Sequence, residues 1–402
     1  MKKIVTLFAA LVSLAAVLAA PTITSVTAQQ RYPWNGKVDI AYTVNGDIAA
    51  HCKDYGLIPS LKVTATDKSA NKTYTATSLS GDTKLTAGTH KIVWDMDAQG
   101  ISFKSANVVF NVACETAEAT YCVIDLSAGA NATSYPVTYM ASEPSGGFNV
   151  DTYKTTKLVL KRIAAGSFIM GEDQSDQSHK VTLTKPFYMG IFEITQKQWN
   201  LVTGLGSPRG SYGYGSGDTY PVYYISYNEI RGAADGAKWP ESASVDTGSF
   251  MGKLQARTRL SFDLPTEAQW EYACRAGTTS QYYWGATMNG NYAWYPSNNS
   301  NSSSNSGHMT HPVGEKLPNP FGLYDMIGNV LEWAVDWWAN PRPVASFGVD
   351  PKGPSTSWTR NSRCLNGNTS FDNFGNEPND TGFSSAGSTI YFYGFRLSRT
   401  LP

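Results

Sequence analysis

Cysteine is scarce in this chain: five in 402 residues, at Cys52, Cys114, Cys122, Cys274 and Cys364. That excludes a small disulfide-built scaffold, and the odd number leaves at least one thiol free or paired between chains. Any two of Cys52, Cys114 and Cys122 are candidates for a bridge, whereas Cys274 sits in a helical pattern and reads as an inert buried thiol. Charge is also scarce, at 16% of residues, and 32 basic side chains balance 32 acidic ones. Such a surface offers no electrostatic footprint for a phosphate backbone, so nucleic acid is excluded as a partner. Long apolar runs are missing after the first twenty residues, so no membrane insertion is expected beyond them. The Gly/Ser/Tyr-rich stretch from Gly204 to Gly217 lacks the Lys-Ser/Thr of a phosphate loop.

What is present begins with Lys2 and Lys3, followed by an apolar, Ala-rich run from Ile4 to Ala20. The pattern reads as a signal peptide over residues 1–20, with cleavage near Ala20 or, alternatively, near Ala28. No cysteine follows it directly, which argues against a lipid anchor there. The expected location is secreted, periplasmic or cell-surface. Aromatic residues make up 12% of the chain, which suits a rigid, loop-rich fold with stacking surfaces.

Residues 21–125 predict strands throughout. Lys37 to Val44 alternates in polarity, and Leu61 to Thr66, Lys72 to Thr77, Thr89 to Asp95 and Val108 to Val112 follow between Gly, Asn and Asp turns. This rhythm predicts a small β-sandwich of the immunoglobulin or fibronectin type, serving as spacer or interaction module. His51 and His90 have no ligand partner in sequence and read as packing or surface residues. A Ser/Gly/Ala/Pro-rich linker is expected over 126–156. Residues 157–402 then mix strands, short helices and long loops, giving an α+β chain as a whole. Three helix starts carry capping boxes, in which side chain and backbone satisfy each other's polar groups: Thr195 with Gln198, Ser226 with Glu229, and Thr266 with Gln269. The Asn/Ser tract from Ser297 to Ser306 predicts an exposed loop.

From Ile163 onward an ordered set of blocks stands out. They include Ala165-Gly-Ser-Phe-Ile-Met-Gly171, Phe192-Glu-Ile-Thr-Gln-Lys-Gln-Trp199 and Leu264-Pro-Thr-Glu-Ala-Gln-Trp-Glu-Tyr-Ala273. Gly322-Leu-Tyr-Asp-Met-Ile-Gly-Asn-Val-Leu-Glu-Trp333, Asp336-Trp-Trp338 and Gly394-Phe-Arg-Leu397 complete them. Together they resemble the sulfatase-modifying-factor family, the formylglycine-generating enzymes and their relatives. The resemblance implies a C-type-lectin-like fold with sparse regular structure over 157–402. It also implies structural calcium, which takes six to eight oxygens and accepts carbonyls beside carboxylates. Carried over, the Asp325 side chain, the Gly328 and Val330 carbonyls and the Glu332 carboxylate match one such site. Hydrogen bonding within the loops is the alternative role for these acids. A second family site would use Asn291 and Tyr292, but the following loop supplies no carboxylate.

The family's oxidase activity implies two cysteines after a Gly-Gly-Ser step, because thiolates suit copper(I). Here the step is Gly367, Asn368 and Thr369, and the cysteine positions hold Asp372 and Glu377. Carboxylates do not replace thiolates on copper(I), so copper is not expected and no catalytic residue is assigned. Cys364 precedes the step and reads as a packed thiol. His179 stands alone, and His308 with His311 lacks a third metal ligand. The segment from Asn366 to Tyr393 is rich in Asn, Ser, Gly, Tyr and Phe, a composition that gives rigid contact area and adaptable hydrogen bonds. Asn368, Asp372, Asn376, Tyr391 and Phe392 are the expected ligand-binding residues, for a protein or glycan. The competing expectation is a formylglycine-generating oxidase, or another protein-modifying enzyme, acting on exported sulfatases.

Overall fold

The computed structural model describes residues 5–7, 21–31, 35–103, 107–171, 178–206, 214–295, 298, 309–338, 348–357, 360–363, 381–385 and 393–402. The chain forms two compact units, Met1–Ala119 and Thr120–Pro402. Among the described residues no helix is long and apolar enough to cross a membrane. No disulfide joins Cys52, Cys114, Cys122 and Cys274.

In the first unit, β1 (Val5–Leu7), β2 (Thr22–Gln30) and β3 (Lys37–Asn45) precede a short helix, α1 (Ile48–Asp54). Then come β4 (Leu57–Asp67), β5 (Lys72–Thr75), β6 (Leu79–Gly81), β7 (Gly88–Asp95) and β8 (Val108–Glu118). They build two sheets, ordered β1-β2-β3-β7-β6 and β5-β4-β8. The alternation along β3 buries Val38, Ile40, Tyr42 and Val44. These side chains join Ile92 and Trp94 from one sheet and Val63, Val112 and Phe110 from the other in a single core. His90 is buried in this unit, with its ring nitrogens on Asp82 and the Thr86 carbonyl, so its role is packing.

The second unit opens earlier than residue 157. It starts with β9 (Tyr121–Asp125), β10 (Val137–Met140), α2 (Asp151–Thr155) and β11 (Lys157–Ile163). β12 (Gly166–Met170), β13 (His179–Leu183) and β14 (Phe187–Gly190) follow, then α3 (Gln196–Thr203), α4 (Tyr227–Arg231), α5 (Phe250–Thr258) and α6 (Glu267–Arg275). The chain closes with β15 (Leu331–Trp337), β16 (Gly348–Val349), β17 (Arg360–Arg363), β18 (Thr381–Ser384), β19 (Tyr393–Gly394) and β20 (Ser398–Thr400). The main sheet runs β10-β9-β11-β14-β20. The boundary expected at 125 therefore shifts, because β9 pairs with β11 in this sheet. The stretch read as a linker supplies β10, α2 and the buried rings of Tyr135 and Phe148.

Both faces of this sheet are covered. Cys122, Ile124, Leu158 and Leu160 enter one core cluster, and Tyr121, Val123, Val159 and Ile163 enter another. That explains the unbroken apolar runs, since a strand buried on both sides has no reason to alternate. All three predicted capping boxes form, with both halves made, at Thr195, Ser226 and Thr266. β15 lies parallel to β19, with Glu332 opposite Gly394. This register brings the last block of the sequence against the loop at 325–332.

Candidate functional site

The 325–332 loop is held in an unusual backbone path. Asp325, Gly328 and Asn329 all have positive φ, at 53°, 94° and 63°. Gly328 is required, because a Cβ there would stand 2.3 Å from the Trp294 carbonyl oxygen. The loop gathers a fully buried polar network. Arg396 donates from Nε to both oxygens of Glu332, at 2.9 and 2.7 Å, and from Nη2 to Oε1 at 2.6 Å. Trp270, on α6, donates from Nε1 to Glu332 Oε2 at 2.8 Å. The remaining Arg396 donors reach the carbonyls of Gly190, at 3.1 Å, and Tyr324, at 3.0 Å.

Beside this pair lies a second acid, Glu193, whose oxygens accept from Asn329 Nδ2 at 2.6 Å and from the Val330 amide at 3.3 Å. Burial, then the charges of Asp325 and Glu332, push its carboxyl well above the usual range. Asp325 Oδ2 accepts from the Gly314 amide at 2.6 Å. Burial raises the Asp325 carboxyl to about 6, against the pull of that amide and of Arg396 and Lys154. Burial also works against the Arg396 cation, but Glu332 outweighs it and the guanidinium is held more firmly charged than usual. Three carboxyls thus share one buried guanidinium. This arrangement stabilises a cation or a retained proton, and it ties three distant chain segments together.

The structure brings the expected calcium residues together, and the fit to the ion is divided. Asp325 Oδ1 is buried and has no hydrogen-bond partner, which leaves lone pairs for a cation. Glu332 differs, because three bonds from Arg396 and one from Trp270 already fill its oxygens. Among the described residues no three of His, Cys, Asp and Glu gather as a metal-holding group. His311 stacks on Trp294, ring centroids 3.6 Å apart, and burial lowers its imidazole to about 4. Its environment therefore favours a neutral packing ring. Asn368, Asp372, Asn376, Glu377, Tyr391, Phe392, Cys364 and His308 lie outside the described residues. Sequence reasoning missed Glu193, Arg396, Asn329 and Trp270 as members of the network. Each lies in or beside a quoted block, but nothing local marks Glu332 and Arg396, 64 residues apart, as partners.

These features define a class: an α+β domain of short elements and long loops, pinned at its centre by buried charge pairs. The chain belongs to the sulfatase-modifying factor enzyme 1-like domain family, whose sequence profile matches residues 150–401. It is similar to the Chaperone protein LppX of Paenibacillus barcinonensis, at 31% identity over 42% of this chain and 68% of that protein. It is also similar to the Formylglycine-generating enzyme of Streptomyces coelicolor, at 29% identity over 50% of this chain and 75% of the enzyme. Among solved structures, Treponema denticola variable protein 1 is 27% identical, with a TM-score of 0.48, covering 61% of this chain and 96% of its own.

Proposed function

We propose that this chain is an exported binding member of the family that lacks its oxidase chemistry. The observation that carries the reading is the absence of any cysteine between Cys364 and the Gly394 block, with Asp372 and Glu377 at the positions where thiols are required. Copper(I) prefers soft sulfur ligands, and a carboxylate pair is hard. A role in handling another protein or a glycan gains support from a relative named as a chaperone rather than as an oxidase. The Asn366–Tyr393 segment is the proposed recognition surface, and the first unit, read as an immunoglobulin- or fibronectin-like sandwich, is the proposed spacer or interaction module.

Co-expression with a sulfatase peptide carrying Cys-x-Pro-x-Arg, followed by mass spectrometry, tests the reading. No conversion of the cysteine to formylglycine is expected. Conversion that depends on this protein would establish the oxidase instead. In parallel, saturable binding on a glycan array or in a pulldown should be lost when Tyr391 and Phe392 are both changed to Ala.

Structural calcium is a second part of this proposal. Asp325 Oδ1, with the Gly328 and Val330 carbonyls, would hold the ion, which would supply the positive charge that the buried acids lack. Melting curves with and without chelator check it. The expected result is a lower Tm with chelator in the wild type and no chelator effect in Asp325→Asn. A wild-type curve indifferent to chelator removes calcium from the account.

A further inference from the structure

Among the described residues, Cys122 and Cys274 are fully buried in the two core clusters of the second unit. Cys52 and Cys114 instead share the core of the first unit. They reach it from elements far apart in sequence. Cys52 lies on α1 and is 3% exposed. On β8 the alternation turns Val108, Phe110 and Val112 inward, and Cys114 continues the same face. α1 packs on β4, and β8 pairs with β4 along its whole length, with Cys114 opposite Leu61. Gly56, at φ 64°, makes the turn between α1 and β4. Its carbonyl accepts from the Ala119 amide at 2.9 Å, just past the end of β8. The helix and the last part of β8 are therefore anchored at the same end of one sheet.

The two thiols also act on each other. Burial, and then the charge of Cys114, pushes the Cys52 thiol up to about 11. Burial raises Cys114 as well, and Cys114 is the more exposed of the two. A buried neutral thiol reacts slowly with reagents in solution. A second thiol held beside it needs only a small thiolate fraction, because its effective concentration is high. α1 has seven residues, too few for a helix to persist in water without tertiary support. A covalent tie to β8 would fix it and would close a long loop in the unfolded chain.

We propose that Cys52 and Cys114 form a disulfide that staples α1 to β8, made by exchange with a small disulfide oxidant. The Cys114 thiolate attacks one sulfur of the oxidant and expels the other as a thiolate. The Cys52 thiolate then attacks the Cys114 sulfur of the mixed disulfide and expels the remaining half. Two S–H bonds of the protein are lost and one S–S bond is made. Their two protons end on the released thiolates, and two electrons reduce the oxidant to two thiols. The pairing rests on the first unit alone and not on the binding reading above. Export, as that reading has it, would supply the oxidising surroundings.

The test incubates the full reduced chain, natively folded, with glutathione disulfide. Remaining thiols are then blocked with N-ethylmaleimide during unfolding, and the chain is digested without reductant for mass spectrometry. The expected product is a linked pair of peptides carrying Cys52 and Cys114, lighter by two hydrogens than the separate peptides and split by dithiothreitol. In Cys52→Ala the resolving thiol is gone, so the glutathione adduct on Cys114 should accumulate at least about ten-fold over wild type. Should Cys52→Ala fail to fold, the wild-type map decides alone. Wild-type Cys52 blocked by N-ethylmaleimide after full oxidation, a lasting glutathione adduct on wild-type Cys114, or Cys114 linked to another cysteine or to a second copy of the chain overturns the proposal.

Discussion

Arg396→Met should destabilise the protein by about 3–5 kcal/mol, as expected when one partner of a buried ion pair is removed. Arg396 and Glu332 both have fully buried side chains. The substitution leaves Glu332 with the Trp270 indole as its remaining named donor, inside a core that already holds Glu193 and Asp325. It also strips the Gly190 and Tyr324 carbonyls of the Arg396 bonds. The double change Glu332→Leu with Arg396→Met should recover part of the loss, because the stranded charge is gone, but not the part owed to the two carbonyls, and it leaves the Trp270 indole N–H without its acceptor. Urea unfolding of the four proteins in the cycle measures this. A single Arg396→Met variant within about 1 kcal/mol of wild type would mean that the pair does not hold the site.

Asp336 yields the second large effect. It is buried on β15 and accepts a hydrogen bond from the Glu267 amide at the start of α6. Burial, then the like charge of Glu267, raises its carboxyl to about 7. In the unfolded chain the same group titrates near 3.9. Between these values the folded state binds the proton and the unfolded state does not, so stability falls as pH rises from about 4 through 7. The loss amounts to a few kcal/mol as an order of magnitude. Asp336→Asn keeps an acceptor for the Glu267 amide and cannot ionise. It should match the wild type near pH 4 and exceed it at pH 8. Unfolding curves at several pH values check this, and wild-type and variant profiles that stay parallel would mean Asp336 is charged throughout.

Much of the local structure was legible because its causes are local. A Thr or Ser three residues before Gln or Glu satisfies its own helix end, so Thr195, Ser226 and Thr266 mark starts without any tertiary contact. The alternation from Lys37 to Val44 reports a strand with one buried face. The boundary at 125 was misplaced for an equally physical reason. Tyr121–Asp125 is apolar on both faces, and such a run does not say which sheet it joins. Composition suggested a linker at 126–156, yet Tyr135 and Phe148 are buried there and the stretch adds a strand and a helix to the second unit.

The sequence alone determined the family, through the order of its blocks, and the fact that no cysteine follows Cys364. Only the tertiary structure decided what Glu332 faces. Its partner sits 64 residues away and reaches it through the parallel register of β15 and β19. Burial then turns that pairing from a weak surface contact into a strong one, since the cost of an unpaired charge grows as water is excluded.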